Sequence, residues 1–352
     1  MKTTFISTAS LTASIGLSRA KTQVKLAQTQ KEATTSRHAD VGAALGYKTG
    51  QVLTLRQEHA RLKTIIESNS VVSTRLSTTQ AGLKLLSDDA QLFASQLLGA
   101  RDTQSGPTIL RDQAKAGLAS FTDALNSSVD GAHLFSGNNS DVKPITDYFG
   151  SPTPANRQAV RNAFQTAFGV SPGDPASANI SKADMEAFLA GPFADLFSDA
   201  NWKADWSGAS DQNIKSRISS SELIETSANA NSAGIRKLAM AYAMVAELGL
   251  DKLGEGAYHA VVDQATVLAT GAVQDLAREQ SRLGIAQERV KNANERMSIQ
   301  VDILSNHIGL LEGVDPFEAH TRATSLLTQL ETAYAMTARI QNLSLLKYLP
   351  IA

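Results

Sequence analysis

A chain of 352 residues, 42% of them hydrophobic, carries enough apolar surface for a sizeable core and two or three domains, which excludes a disordered protein. A formal charge of -1 gives no electrostatic reason to expect nucleic acid or a membrane surface as partner. The absence of cysteine excludes disulfides, thiolate catalysis and sulfur-bound zinc, and an aromatic content of only 5% favours long helices with slim seams.

The first 23 residues, MKTTFISTASLTASIGLSRAKTQ, are basic, rich in Ser and Thr, and without an acid until Glu32. Those features fit an organellar transit peptide. Ser and Thr interrupt any secretory-signal core, and no apolar run approaches the ~20 residues that span a bilayer. The structural reading is a helix over 5–34 with a weak stripe of Ile6, Ala9, Ala13, Leu17, Ala20, Val24 and Ala27. It is preferred because the far end of the chain supplies a matching helix. The glycine-bearing stretch SRHADVGAALGYKTG then forms a joint.

No proline occurs before Pro107, six of the nine fall between Pro144 and Pro192, and none follows until Pro316. Because proline breaks helix interiors, the layout reads helical, mixed, helical. From Leu55 a 3-4 repeat runs through Leu62, Asn69, Leu76, Leu83, Ala90 and Leu97, with Ile65, Val72, Thr79, Leu86 and Phe93 as companions. This is a coiled-coil seam, in which Asn69 penalises shifted registers. Pro107 opens a third helix whose face is Ile109, Leu110, Ala114, Gly117, Leu118, Phe121, Leu125, Ser128 and Ala132, ending near DGAHLFSGNNSD.

Residues 140–230 hold both tryptophans and most of the prolines, a composition suited to a small independent core. A helix is expected over Ala155–Phe168, a Ser181/Asp184 cap before Met185–Leu189, a hairpin in NIKSRISSSELIETSAN and a helix over Ser232–Leu248. From Ala257 a second long seam shows Val262, Ala269, Leu276, Leu283, Val290, Met297, Leu304 and Leu311. Its companions Val273, Gln280, Gln287, Asn294, Val301 and Ile308 are polar in the middle. At ~1.5 Å per residue, 51–101 and 257–312 would each extend roughly 75 to 85 Å, which invites an antiparallel pair. Gly313, Asp315 and Pro316 then close one helix and open the next, whose stripe is Ala323, Leu326, Leu327, Leu330, Ala333, Tyr334, Ile340, Leu345 and Tyr348.

The expected fold is mainly α: a long antiparallel coiled-coil-like rod made from N- and C-terminal segments, with a small α+β domain inserted at the far end. The expected divisions are 1–50, an N-terminal assembly helix and joint; 51–139, rod; 140–231, inserted variable domain; 232–312, rod; and 313–352, joint and C-terminal assembly helix. Leu62, Asn69, Leu76, Leu83, Leu283, Val290, Met297 and Leu304 carry the rod seam. The terminal helices have too little to bury to stand alone, so they are expected to order against neighbouring subunits.

The segment DGAHLFSGNNSDVKPI, 130–145, resembles the G-x-x-LFSG-x-x-x-x-x-x-P segment of the flagellin superfamily. LLEGVDPFEA, 310–319, is similar to that superfamily's acidic joint before the terminal helix. The ending IQNLSLLKYL, 340–349, resembles the hook-associated protein 3 family, distal hook-filament junction proteins, more than filament flagellins. The resemblance covers 1–145 and 255–352. One departure is TTSRHADVGAALGYKTG, which replaces the family's basic-Gly and Asp-Pro pattern, though Arg37 and Asp40 keep charge there.

The resemblance implies a structural subunit of the bacterial flagellum, extracellular, exported by the flagellar type III route without a cleaved signal. Its implied partners are flagellin, the proximal junction protein, an export chaperone at the C-terminal helix, and copies of itself in a ring layer. A filament flagellin is the alternative. The assembly surface would be Ile6, Ala13, Leu17, Val24, Leu330, Tyr334, Ile340, Leu345 and Tyr348. Leu330, Ile340, Leu345 and Tyr348 would each contribute ~1.5 to 3 kcal/mol when buried.

No catalytic, cofactor or metal residues are expected. His38, His59, His133, His259, His307 and His320 include no i, i+4 pair with a third ligand, and no GxGxxG, P-loop or GxSxG pattern occurs. Adjacent acids on a heptad helix, Asp88 and Asp89, are expected to face solvent, and His307 to flank the seam.

Overall fold

The structure, a computed structural model, describes residues 8–342. Helix α1 spans Thr8–Thr35 and stops where Ser36 adopts a φ of 54°. α2, Val41–Leu45, begins at Asp40, whose side chain accepts the Ala43 N–H at 2.9 Å. A 3-10 turn, Gly46–Lys48, leads into the long α3, Thr49–Ala100, and Pro107 sits in the first turn of α4, Gly106–Leu125.

α4 ends seven residues short of the expected Ala132. The Asn126 side chain both donates to the Ile145 carbonyl and accepts its N–H, each at 3.0 Å, which turns the chain out of the helix. Ser128–Val129 (β1) and Ala132–His133 (β2) then pair antiparallel around Asp130 and Gly131, whose φ values of 52° and 79° define a type I′ turn.

α5 covers Ala155–Phe168 and ends at Gly169 in the left-handed region; α6, Lys182–Phe188, is capped by Ser181. The short α7, Asp199–Asn201, runs into a π-helical turn, Trp202–Trp206. β3, Lys215–Arg217, pairs antiparallel with β4, Leu223–Glu225, in the register Ser216 to Ile224. α8 (Ala233–Glu247), the long α9 (Glu255–Glu312) and α10 (Pro316–Asn342) complete the chain. The fold is thus mainly α, with two small antiparallel sheets among the described residues. No described helix is long and apolar enough to cross a membrane.

The chain forms two compact units, Thr64–Arg296 and the remainder on either side of it, and α3 and α9 contribute to both. Within the Thr64–Arg296 unit, α3 and α9 run antiparallel: Asn69 bonds Asn294, Gln80 bonds the Gln280 carbonyl and Arg101 bonds Asp263, one index rising as the other falls. Leu76, Leu83, Leu86, Phe93 and Leu97 of α3 are buried, as are Leu276, Leu283 and Val290 of α9. α4 and α8 complete this core, with the Tyr242 ring against Gly117 and 4.7 Å from Phe93. Of the adjacent acids on α3, Asp88 faces solvent as expected, whereas Asp89 is half-buried and accepts the Ser120 hydroxyl at 2.9 Å. The middle companions on α9 differ from the expected ones. Ala272, Ala286 and Ala293 are buried three residues after the seam positions, whereas Gln280 and Gln287 are only half-buried. Small side chains there let a neighbouring backbone approach closely.

The segment between α4 and α8 is packed by contiguous rings, from Tyr148 through Trp206, Trp202, Phe197 and Phe193 to Phe188 and Phe164. Glu247, buried at the end of α8, binds Arg157 at 3.0 Å and Arg161 at 2.5 Å and so holds α5 in place. The β3–β4 hairpin is tied to α9 by arginines seven residues apart: Arg282 bonds Glu225, and Arg289 and Arg296 both face Glu222.

Candidate assembly surfaces and their joint

In the unit that holds both chain ends, α1 and α10 pack antiparallel. Gln23 donates to the Tyr334 hydroxyl at 2.7 Å, the Arg19 guanidinium lies 5.0 Å over the same ring, and Leu26 packs with Ala323, Leu330 and Leu326. On α10 the covered positions Ala319, Ala323, Leu326, Leu330, Ala333 and Thr337 form a 3-4 repeat. On α1 they are Ile15, Thr22, Leu26 and Thr29.

The stripe read from sequence on α1 lies elsewhere. Ala13, Leu17 and Val24 sit two residues round from the covered positions, about 200° away at 100° per residue, and all three are exposed. Leu17 is 61% exposed and Val24 59%. Leu327, Tyr334 and Met336 of α10 are exposed as well. α1 therefore has one face used within the chain and a second apolar face left uncovered, whereas on α10 the exposed apolar side chains flank the covered stripe, Leu327 and Tyr334 on one side and Met336 on the other. Leu330 belongs to the covered face and Leu17 and Val24 to the uncovered one, while Tyr334, half-exposed, sits at the edge of the α1–α10 contact with its hydroxyl bonded by Gln23 and its ring under Arg19. Ile6, Leu345 and Tyr348 lie outside the described residues; Ile340 is in α10, where only its backbone is described.

The joint is built from two short extended pieces. The His38 N–H donates to the Glu312 carbonyl at 2.9 Å, the Val314 N–H donates to the Ser36 carbonyl at 3.0 Å, and Arg37 faces Gly313 as an antiparallel bridge. α9 closes as the Gly313 N–H bonds the Gly309 carbonyl at 2.7 Å. Asp315 then accepts the Phe317 N–H at 2.8 Å, and Pro316 occupies the first turn of α10, where its missing N–H costs nothing. Between these pieces lies Glu312, fully buried, its Oε2 taking a 2.6 Å hydrogen bond from Arg56 that raises the arginine's pKa. Further along the same unit His59 meets Ser305 at 3.0 Å, so α3 and α9 are antiparallel here too.

The LFSG segment works within the Thr64–Arg296 unit as a clasp. Leu134, Phe135 and Ser136 are buried, and their backbone is stitched on both sides: the Ala230 N–H donates to the Phe135 carbonyl and the Ser210 N–H to the Ser136 carbonyl. Gly137, at φ 60°, would place a Cβ 2.4 Å from the Ser210 carbonyl oxygen, so only glycine fits. Arg75 of α3 adds a 2.9 Å bond to the His133 carbonyl.

Two helical-region models recognise these same parts of the chain. The model of the bacterial flagellin N-terminal helical region matches residues 6–140, and that of the bacterial flagellin C-terminal helical region matches 266–349, together more than half of the sequence. The chain belongs to the flagellin superfamily. Among solved structures, a Vibrio parahaemolyticus protein provisionally described as flagellar hook-associated superposes with a TM-score of 0.52 at 9% identity, covering 76% of this chain and 99% of its own. That likeness is one of fold. No curated protein matches the chain in sequence.

As a member of the flagellin superfamily, this chain is a structural subunit of the bacterial flagellum and not an enzyme. Its seam residues Leu62, Asn69, Leu76, Leu83, Leu283, Val290 and Met297 are buried and Leu304 is half-buried; Gly313, Asp315 and Pro316 make the turn between α9 and α10. Sequence reasoning missed Leu26, Ala319 and Glu312. The first two could have been found by extending the 3-4 repeat from Leu330 and seeking its partner. Glu312 gives a weaker signal: an acid directly after Leu311 at the end of an apolar seam.

Proposed function

We propose that this flagellin-superfamily subunit forms the junction layer between hook and filament, with copies of its terminal helices packing around a shared axis. The observation that carries self-assembly is the uncovered apolar face of α1, marked by Leu17 and Val24, together with the exposed Leu327 and Met336 that flank the covered stripe of α10 on either side. A monomer that stayed alone would leave those side chains in water, and each fully buried one contributes about 1.5–3 kcal/mol to association. The choice of the junction over the filament is supported by the ending IQNLSLLKYL and by the hook-associated description of the Vibrio structure.

On this reading the neighbours are flagellin, the proximal junction protein and further copies in a ring. The exposed apolar side chains of α10, Leu327 and Met336, suit an export chaperone before assembly, since a groove-binding partner recognises apolar positions on a helix. The product leaves the cell by the flagellar export channel and functions outside it. Residues 1–50 and 313–352 serve assembly, 51–139 and 232–312 form the rod, and 140–231 face outward as a spacer.

Deletion of the gene in its host tests the assignment. Loss of filaments with monomeric flagellin shed into the medium is expected. Continued polymerisation of flagellin on the hook would favour the filament-subunit reading instead.

A further inference from the structure

Glu312 is an unusual residue for its position. It is the last residue of α9, where the helix carries its partial negative charge and a basic side chain would be favoured. It is also withdrawn completely from solvent, which penalises a charged carboxylate unless partners compensate. Helix formation therefore does not explain it, and hydrophobic packing does not need it.

Its partners do. Arg56 of α3 bonds Oε2 at 2.6 Å, and Arg37, from the segment between α1 and α2, places Nη1 3.7 Å from the same oxygen. Oε1 is buried without a hydrogen-bond partner, so the carboxylate's compensation rests on Oε2, which Arg56 and Arg37 share. The Glu312 carbonyl meanwhile receives the His38 N–H, and residues 36–38 and 312–314 form their short bridge around it. One side chain thus ties together three segments separated in sequence: the start of the N-terminal joint, the first turns of α3 and the end of α9.

We propose that Glu312 is the positioning residue of the joint. Paired with Arg56 and Arg37, it locks the connectors of α1 and α10 side by side, so that the two helices are presented to a second copy of this chain as one body. The proposal rests on the terminal helices being the assembly surface, but not on whether that assembly is junction or filament.

The test uses full-length protein with Glu312→Gln, Arg56→Gln and Arg56→Lys, read by hydrogen exchange over residues 36–40 and 312–318 and by incorporation onto isolated hooks. Glu312→Gln and Arg56→Gln should each raise exchange in both connectors tenfold or more and lower incorporation at least fivefold, while exchange in Ala233–Glu247 stays unchanged. Arg56→Lys should recover most of both, because it keeps the charge. Wild-type exchange in the two neutral variants overturns the proposal, as does a loosened joint with normal incorporation. If Glu312→Gln also loses protection in Ala233–Glu247, Arg56→Gln decides by the same criteria. Failure of the wild type to join hooks would sink the junction reading alone, leaving joint exchange and self-assembly of the variants to decide this one.

Discussion

Asn69 and Asn294 meet side chain to side chain in the middle of the seam: Nδ2 of Asn69 donates to Oδ1 of Asn294 at 2.7 Å and to the Ile218 carbonyl at 2.8 Å. A polar pair at a buried heptad position specifies one alignment of the helices. It also anchors the β3–β4 hairpin. Asn69→Leu strands two acceptors and should cost about 1–3 kcal/mol, measured by urea denaturation. The double change Asn69→Leu with Asn294→Leu should be less damaging than the sum of the two singles, because it removes both halves of the pair.

The Glu247 carboxylate lies buried between two guanidinium groups. Glu247→Ala leaves Arg157 and Arg161 without their acceptor and should destabilise by about 2–3 kcal/mol. The loss should appear as a lower chemical midpoint and as protease cleavage within Ala155–Phe168. Cleavage confined to other segments would show that α5 is held by something else.

Gly137→Ala forces a side chain into the left-handed region and against the Ser210 carbonyl. A cost of about 2 kcal/mol or more is expected. Tryptophan emission should shift to longer wavelength at a temperature where the helices still give full circular dichroism. Coincident loss of the two signals would mean that the clasp and the helices unfold together.

Two hydrogen bonds from Arg101 hold the Asp263 carboxyl below the usual carboxylate range, and bonds from Lys203 and Asn231 do the same to Asp211. A depressed folded-state pKa adds stability that is fully present above the unfolded value, near pH 3.9, and is lost as pH falls through the folded value. Asp263→Asn should therefore lower the Tm at pH 6 and approach the wild type at pH 3. A gap in Tm that stays constant between those pH values would refute the linkage.

Leu17→Asp with Val24→Asp changes only exposed positions of α1. The isolated protein should keep its helicity and Tm, while addition to hooks or self-assembly is abolished. Leu26→Asp, by contrast, strikes the contact with Leu330 and should expose α1 and α10 to protease even in the monomer. If the double variant assembled normally, the uncovered face would not be the assembly surface.

Much of the α framework was legible because proline and heptad spacing act locally. Both long helices begin and end within two residues of the spans read from sequence, and Gly313, Asp315 and Pro316 each do what their chemistry dictates. The face of α1 was not legible. Ile15 with Leu26 and Leu17 with Val24 make two stripes of similar strength, and only α10 decides which is covered. Ala272, Ala286 and Ala293 read as mere helix formers, since alanine has the highest propensity whether buried or not. The end of α4 was missed because Ser128 and Ala132 satisfy helical spacing, while the Asn126 contact with Ile145 that diverts the chain is tertiary. The role of LFSG was hidden similarly: its glycine signals a turn, but its carbonyls are claimed by residues some seventy to a hundred positions away.

Trp202 and Trp206 stack at 5.2 Å with their planes 12° apart, and they are the only tryptophans in the chain. Indoles that close and nearly parallel share their excited state, giving a signal sensitive to a small change in their mutual angle. All indole optical signal therefore originates in the segment between α4 and α8, and α1 and α10 contribute none of it. A melt followed by tryptophan emission would report on that segment and leave α1 and α10 unread, whereas a cysteine-linked reporter placed on either helix meets no native thiol.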